Sequence, residues 1–166
     1  MNALLTKTLP KMVLDAETAE DLMTPNPISI NASASVQEAL AMLTDRGFSA
    51  APVIDEAGRP VGVLSRTDLL VHERERGGGN APLEELADWD FPPRHHVEGF
   101  SVEVVDPTRV RDIMTPVVFT VSLDTAVPQV IEQMLSLKVH HLFVVDDDRA
   151  LVGVISPLDI LHRLRV

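Results

Sequence analysis

Gly62-Val63-Leu64-Ser65-Arg66-Thr67-Asp68 and Gly153-Val154-Ile155-Ser156-Pro157-Leu158-Asp159 stand 91 positions apart and share one pattern: glycine, two apolar residues, serine, two variable residues, aspartate. The apolar run suits the end of a strand. Ser-x-x-Asp suits the first turn of a helix, where a serine oxygen can accept from an amide that has no intrahelical partner and the acid can reach back. Each stretch therefore reads as a strand-to-helix junction. The match extends outward without a gap, residues 21–70 lying over 112–161, and includes Asp21/Asp112, Met23/Met114, Thr24/Thr115, Pro25/Pro116, Val36/Val127, Val53/Val144, Asp55/Asp146 and Leu70/Leu161. A shift that stays constant over such a span marks a duplicated supersecondary unit. Two copies that each expose an apolar face can bury it against one another, which directs the search for function to the clefts along their seam.

Inside the first copy, Ser35-Val36-Gln37-Glu38 has the form of a capping box, and Val36, Ala39, Leu40 and Leu43 follow helical spacing to about Arg46. Gly47 stands where a C-terminal cap belongs. Two β-rich runs, 51–54 and 61–64, flank an Asp/Gly turn and predict a hairpin. Helical spacing resumes from Thr67 to about Glu75. The second copy repeats the order with a helix over 126–138, strands over 141–145 and 151–155, and a closing helix over 157–163. Short strands at 28–30 and 118–121 lead in, and a small helix precedes each copy near 18–23 and 108–114. The two Met-Thr-Pro tripeptides end those helices, because a residue before proline is pushed out of helical geometry.

Composition bounds the function classes. With 166 residues and 45% apolar side chains the chain can bury one core comfortably, so one domain of two halves is expected. No run approaches the roughly 18 apolar residues of a membrane span, and no leader pattern opens the chain, so a cytoplasmic protein without membrane contact is expected. The absence of cysteine removes disulfides and thiolate catalysis. A net charge of -11 with only 14 Lys and Arg argues against a nucleic-acid partner.

Residues 71–111 match nothing in the repeat. Their glycine run, Gly77-Gly78-Gly79-Asn80, predicts a flexible stretch, and the segment around Trp89 predicts a surface flap. The expected division is an N-terminal tail (1–15), a first repeat (16–76), an inter-repeat flap (77–108) and a second repeat (109–166).

The Ser-x-x-Asp motif has two readings. As a reciprocal cap it needs no ligand, and Pro157 at the first helical position suits that role alone. Repeated in register, it also offers free amides and a positive dipole end to an anion, with an aspartate placed to accept ribose hydroxyls. Other chemistry is weaker. His140-His141 with His95-His96 invite a metal, but neighbours on a strand face opposite ways, so no metal ligand is assigned. No nucleophile-plus-base arrangement is identifiable, and no enzyme is expected. Asp146-Asp147-Asp148 reads as a solvated turn.

In this order, the Met-Thr-Pro lead-in, the Pro-Val-Ile-Asp and Phe-Val-Val-Asp strands, the Gly-Val-Leu/Ile-Ser turn and the Ser-x-x-Asp close resemble the CBS domain, named after cystathionine β-synthase. The resemblance covers about 16–70 and 109–164. It implies an α/β (α+β) fold of two tandem β-α-β-β-α repeats packed as one pseudo-twofold module, binding adenosine compounds such as AMP, ADP, ATP or S-adenosylmethionine and commonly forming a homodimer. It implies that Asp68 and Asp159 hold ribose hydroxyls and that Ser65 and Ser156 approach phosphate. It sets adenine on Ile28, Ala50, Ala51 and Pro52 in one copy and on Phe119, His141, Leu142 and Phe143 in the other. Phe143 stands where the family usually has proline. His140, His141 and Lys138 resemble basic positions that contact phosphate, whereas Ser49, Ala50 and Gly47 are neutral and Arg66 replaces part of that charge. The expected function is a stand-alone regulatory sensor that needs no resident cofactor, binds an adenosine nucleotide and acts through its own dimer or an unidentified protein partner. The rival is an interaction scaffold with empty clefts.

Overall fold

The computed structural model describes residues 12–76 and 106–165. The expectations for Gly77 to Asn80, Trp89, His95 and His96 lie outside the described residues.

In the first copy, α1 (Ala19–Leu22) stops at Met23, whose extended backbone leads into β2 (Thr24–Pro25). Strand β3 (Ile30–Asn31) precedes α2 (Val36–Asp45). The capping box forms as expected: the Ser35 hydroxyl and amide donate to Glu38 at 2.8 Å, and the Glu38 amide donates back to Ser35 Oγ at 3.2 Å. Val36, Ala39 and Leu43 are the buried stripe of α2. Gly47 then turns the chain at φ +66°, a left-handed conformation that costs glycine little. The hairpin is β4 (Ala50–Ile54) and β5 (Pro60–Ser65), followed by α3 (Arg66–Arg76).

The second copy runs α4 (Val110–Ile113), β6 (Thr120–Ser122), α5 (Val127–Leu137), β7 (Leu142–Val145), β8 (Leu151–Ile155) and α6 (Pro157–His162). Lys138, the counterpart of Gly47, also adopts left-handed geometry, with φ +55°. Two short strands, β1 (Val13–Leu14) and β9 (Leu164–Arg165), pair antiparallel and bring the described ends together. Among the described residues no helix is long and apolar enough to cross a membrane.

Sheet pairing shows what the linear repeat conceals. The chain divides into two compact units, and each combines the body of one copy with the lead-in of the other. In one unit the strand order is β2-β8-β7-β6, with Thr24 opposite Val154 and Pro25 opposite Gly153. Strand β6 joins β7 in parallel, and β7 joins β8 antiparallel. Its core sets Ala19 and Leu22 of α1 against Val127, Val130, Leu142, Val144 and Ile155. The other unit holds the order β3-β4-β5, with Thr115 bridging Val63 antiparallel. There Val110 of α4 packs with Leu43, Val53, Leu64 and Leu69. Each lead-in helix thus buries its apolar residues in the body of the opposite copy, and neither unit is built from one copy alone.

That exchange explains the glycines that open the two junction motifs. A β-carbon on Gly62 would lie 2.7 Å from the carbonyl oxygen of Thr115, and one on Gly153 would lie 2.9 Å from the Met23 β-carbon. Both are closer than packed atoms approach, so a bare Cα is what admits each Met-Thr-Pro segment.

Candidate functional site

At the second junction, β8 delivers Ser156 to the start of α6 and sets Asp159 one turn in. Asp159 Oδ2 accepts from the Ser156 amide at 2.7 Å and from the Ser156 hydroxyl at 2.6 Å. Its Oδ1 accepts from the Thr24 hydroxyl at 3.1 Å, a contact made possible by the β2–β8 pairing. A carboxylate has about four acceptor positions, so Asp159 is held by three bonds and still has capacity on Oδ1. The acid thus reaches back onto Ser156 while its own amide donates to the Ser156 carbonyl at 3.1 Å, and the aspartate is left able to accept one more hydroxyl.

His140 and His141 lie at the same end of this unit, ahead of β7 rather than within it, and both are exposed. Alternation along a strand therefore does not govern where their rings point. Partial burial lowers the His141 pKa, the neighbouring His140 lowers it further, and the Asp159 carboxylate opposes both effects. His141 accordingly lies within electrostatic reach of Asp159. Phe119 is half-buried, and its carbonyl accepts from the Phe143 amide at 2.9 Å. Leu142 is 0% exposed and Phe143 5%, so their side chains belong to the interior and offer a ligand almost no surface.

The first junction repeats the arrangement with differences. Asp68 Oδ2 accepts from the Ser65 amide at 2.8 Å and the Ser65 hydroxyl at 2.7 Å, while the Asp68 amide donates to Ser65 Oγ at 3.2 Å. Among the described residues no hydroxyl reaches Asp68 Oδ1 as Thr24 reaches Asp159. Arg66 turns back to donate to the Leu43 carbonyl at 3.4 Å, near the C-terminal end of α2 where a cation is favoured. Ala50 is exposed, Pro52 half-buried and Ala51 buried. Ile28 is exposed and belongs to the other compact unit from Ala50, Ala51 and Pro52.

Away from the junctions, buried His72 donates from Nε2 to Asp106 Oδ2 at 2.8 Å, and Arg76 meets the same oxygen at 3.1 Å. Burial alone would raise the Asp106 carboxyl. Hydrogen bonds from His72 and Thr108, with the Arg76 charge, overrule it and hold the group far below the usual carboxylate range. His72, Glu73 and Asp106 are the one cluster of metal-binding side chains among the described residues, but the guanidinium already neutralises its central oxygen. Asp146 caps its own turn, its Oδ1 accepting from the amides of Asp148 and Ala150. Two participants escaped the sequence: Thr24, whose signal was the repeated Met-Thr-Pro, and the His72–Asp106 pair, for which there was none.

The CBS domain family model matches residues 19–75 and 110–166. The chain belongs to that family, as a tandem pair. It is 31% identical over 140 residues to the chloroplastic CBS domain-containing protein CBSX1 of Arabidopsis thaliana and 31% identical over 144 residues to CBSX2 of the same plant. Those alignments cover 82% and 84% of this chain but 56% and 60% of the plant proteins, so the chain spans little more than half the length of these relatives. The crystal structure of CBSX2 in complex with AMP is similar with a TM-score of 0.61 and 26% identity, covering 89% of this chain and 95% of that one. The cytosolic domain of the magnesium channel MgtE in complex with ATP matches at 28% identity and the same TM-score, over 90% of this chain and 49% of that one.

Proposed function

We propose that this CBS pair is a regulatory module that binds an adenosine nucleotide, AMP being the first candidate, at the strand-to-helix junctions Ser65–Asp68 and Ser156–Asp159. The observation that carries the reading is Asp159: capped through Oδ2 and oriented through Oδ1, it retains an acceptor position a ribose hydroxyl could use. The AMP and ATP complexes of the two solved relatives support the ligand class. His140 and His141 supply the imidazoles that a phosphate would draw toward protonation, and Phe119 supplies apolar surface for a base. Ser65, Arg66 and Asp68 play the corresponding roles in the first copy with Ala50, Ala51 and Pro52. Leu142 and Phe143 contribute backbone and rigidity rather than contact surface.

On this reading the chain carries out no catalysis and needs no resident cofactor. Ligand occupancy is its output, passed on through a homodimer or a partner protein in the cytoplasm. Leu135 on α5 and Leu158 and Leu161 on α6 are 74%, 63% and 57% exposed, apolar surface that self-association would cover. Calorimetric titration with AMP, ADP, ATP and S-adenosylmethionine tests the ligand, and sedimentation with and without the tightest of them tests the dimer. Saturable binding of at least one supports the proposal. No heat and no thermal shift from any of the four would leave an interaction scaffold as the better account.

A further inference from the structure

We infer that Thr24 is a positioning residue for the second junction, orienting Asp159 for a ribose hydroxyl, and that the first junction has no equivalent. The inference rests on the reading of Asp159 as the ribose acceptor.

The two Met-Thr-Pro segments occupy matching places. Thr24 lies opposite Val154 on β8, and Thr115 bridges Val63 on β5 through reciprocal backbone bonds of 2.9 and 3.0 Å. The backbone arrangement is therefore the same, and the side chains differ. Thr24 Oγ1 donates to Asp159 Oδ1 at 3.1 Å, whereas among the described residues Thr115 donates nothing to Asp68. Both aspartates are held through Oδ2 by the local serine. For Asp68 that leaves rotation of the carboxyl limited at one oxygen only. Asp159 is pinned at both, so its remaining lone pair has one direction. A polar group held in its working geometry before the ligand arrives loses less freedom on binding, which is the basis of preorganisation.

The chemistry follows from the donor inventory. A threonine hydroxyl can give its one proton to the carboxylate while the carboxylate accepts a ribose hydroxyl beside it. Because Thr24 comes from the exchanged lead-in, correct placement of that segment and competence of the second junction are linked by one hydrogen bond. A ligand bound there senses whether β2 is seated on β8.

The test is calorimetric titration of the full chain with AMP, 2′-deoxy-AMP and 3′-deoxy-AMP, comparing wild type with Thr24→Val, Thr24→Ser and Thr115→Val, with melting temperatures measured in parallel. The expected result is a loss of about three- to tenfold in AMP affinity in Thr24→Val, a fold-change in keeping with one hydrogen bond. Preference for AMP over its deoxy forms should shrink with it, Thr24→Ser should restore both, and Thr115→Val should leave both unchanged. Thr24→Ala carries the same expectation if the valine variant folds poorly. If wild type prefers AMP over the deoxy forms and Thr24→Val keeps that preference, or if Thr115→Val causes an equal loss, the inference is overturned while the nucleotide reading stands. If wild type binds no AMP, or binds it no better than either deoxy form, the reading of Asp159 as ribose acceptor fails and the inference fails with it.

Discussion

Met23 lies directly on the bare Cα of Gly153, so close that a β-carbon there would sit 2.9 Å from the Met23 β-carbon. The contact ties the lead-in of one copy to the hairpin of the other, and Gly62 repeats it against Met114 and Thr115.

Alanine at either glycine should therefore destabilise the fold. At Gly62 the obstructing atom is the Thr115 carbonyl oxygen, part of a paired backbone that cannot swing aside. Gly62→Ala and Gly153→Ala are each expected to cost about 1–3 kcal/mol, as overpacking does. Urea denaturation measures it, and unchanged midpoints in both would show that the lead-ins are not seated as described.

Lys138 holds φ +55° where the first copy uses Gly47 at +66°. Lys138→Gly should stabilise the protein by about 0.5–1 kcal/mol, since a side chain in that conformation is strained and glycine is not. A lowered melting temperature would contradict this.

The His72–Asp106–Arg76 network fastens α3 to the segment just ahead of α4. Removing His72 leaves a buried carboxylate with Arg76 as its remaining charge partner, so His72→Ala should cost about 2–4 kcal/mol. Acid should act at the same place. Asp106 titrates far lower folded than its unfolded value of about 3.9. The unfolded chain thus binds the proton first, and the stability from this group is complete above about pH 4 and lost as pH falls below it. Asp106→Asn should flatten that part of the stability profile. An unaltered profile would remove the network from the account.

His141 titrates below the ordinary histidine value of about 6.5, so it is largely neutral at pH 7.5. A phosphate beside it favours the imidazolium, and proton uptake on binding makes affinity rise as pH falls. AMP should bind more tightly at pH 5.5 than at 7.5, and adenosine should show little of this trend. A His140→Ala/His141→Ala variant that keeps the wild-type pH dependence would show that neither ring meets phosphate.

The repeat made the element order legible because duplication doubles most signals: two hairpins and two Ser-x-x-Asp closes fell where the structure has them, and the capping box at Ser35 opens α2, while α5 starts at Ala126 without a side-chain cap. It could not reveal the exchange of lead-ins, since a one-dimensional repeat gives no sign of which copy's Met-Thr-Pro pairs with which hairpin. Thr24 was hidden for that reason. So was the full load on Asp159, which reads as one first-turn acid in the sequence but accepts three hydrogen bonds in the fold. Its replacement by alanine should therefore cost more in folding than a helix-end charge alone would. His141 reads as the start of a strand, yet the chain is still turning after the left-handed Lys138, and β7 begins only at Leu142. The family resemblance set adenine on Leu142 and Phe143; as consecutive residues of β7 they face opposite ways, and both are buried, so β7 is covered on both faces here.

The most direct test of the central claim is calorimetric titration of AMP into the wild-type chain and into an Asp68→Asn/Asp159→Asn variant whose fold has been verified by circular dichroism. Asparagine keeps the shape and one acceptor oxygen but removes the charge that makes a hydroxyl bond strong. Wild type should bind saturably, and the double variant should bind at least tenfold more weakly. Equal affinity in the two proteins, or no binding by either, would contradict it.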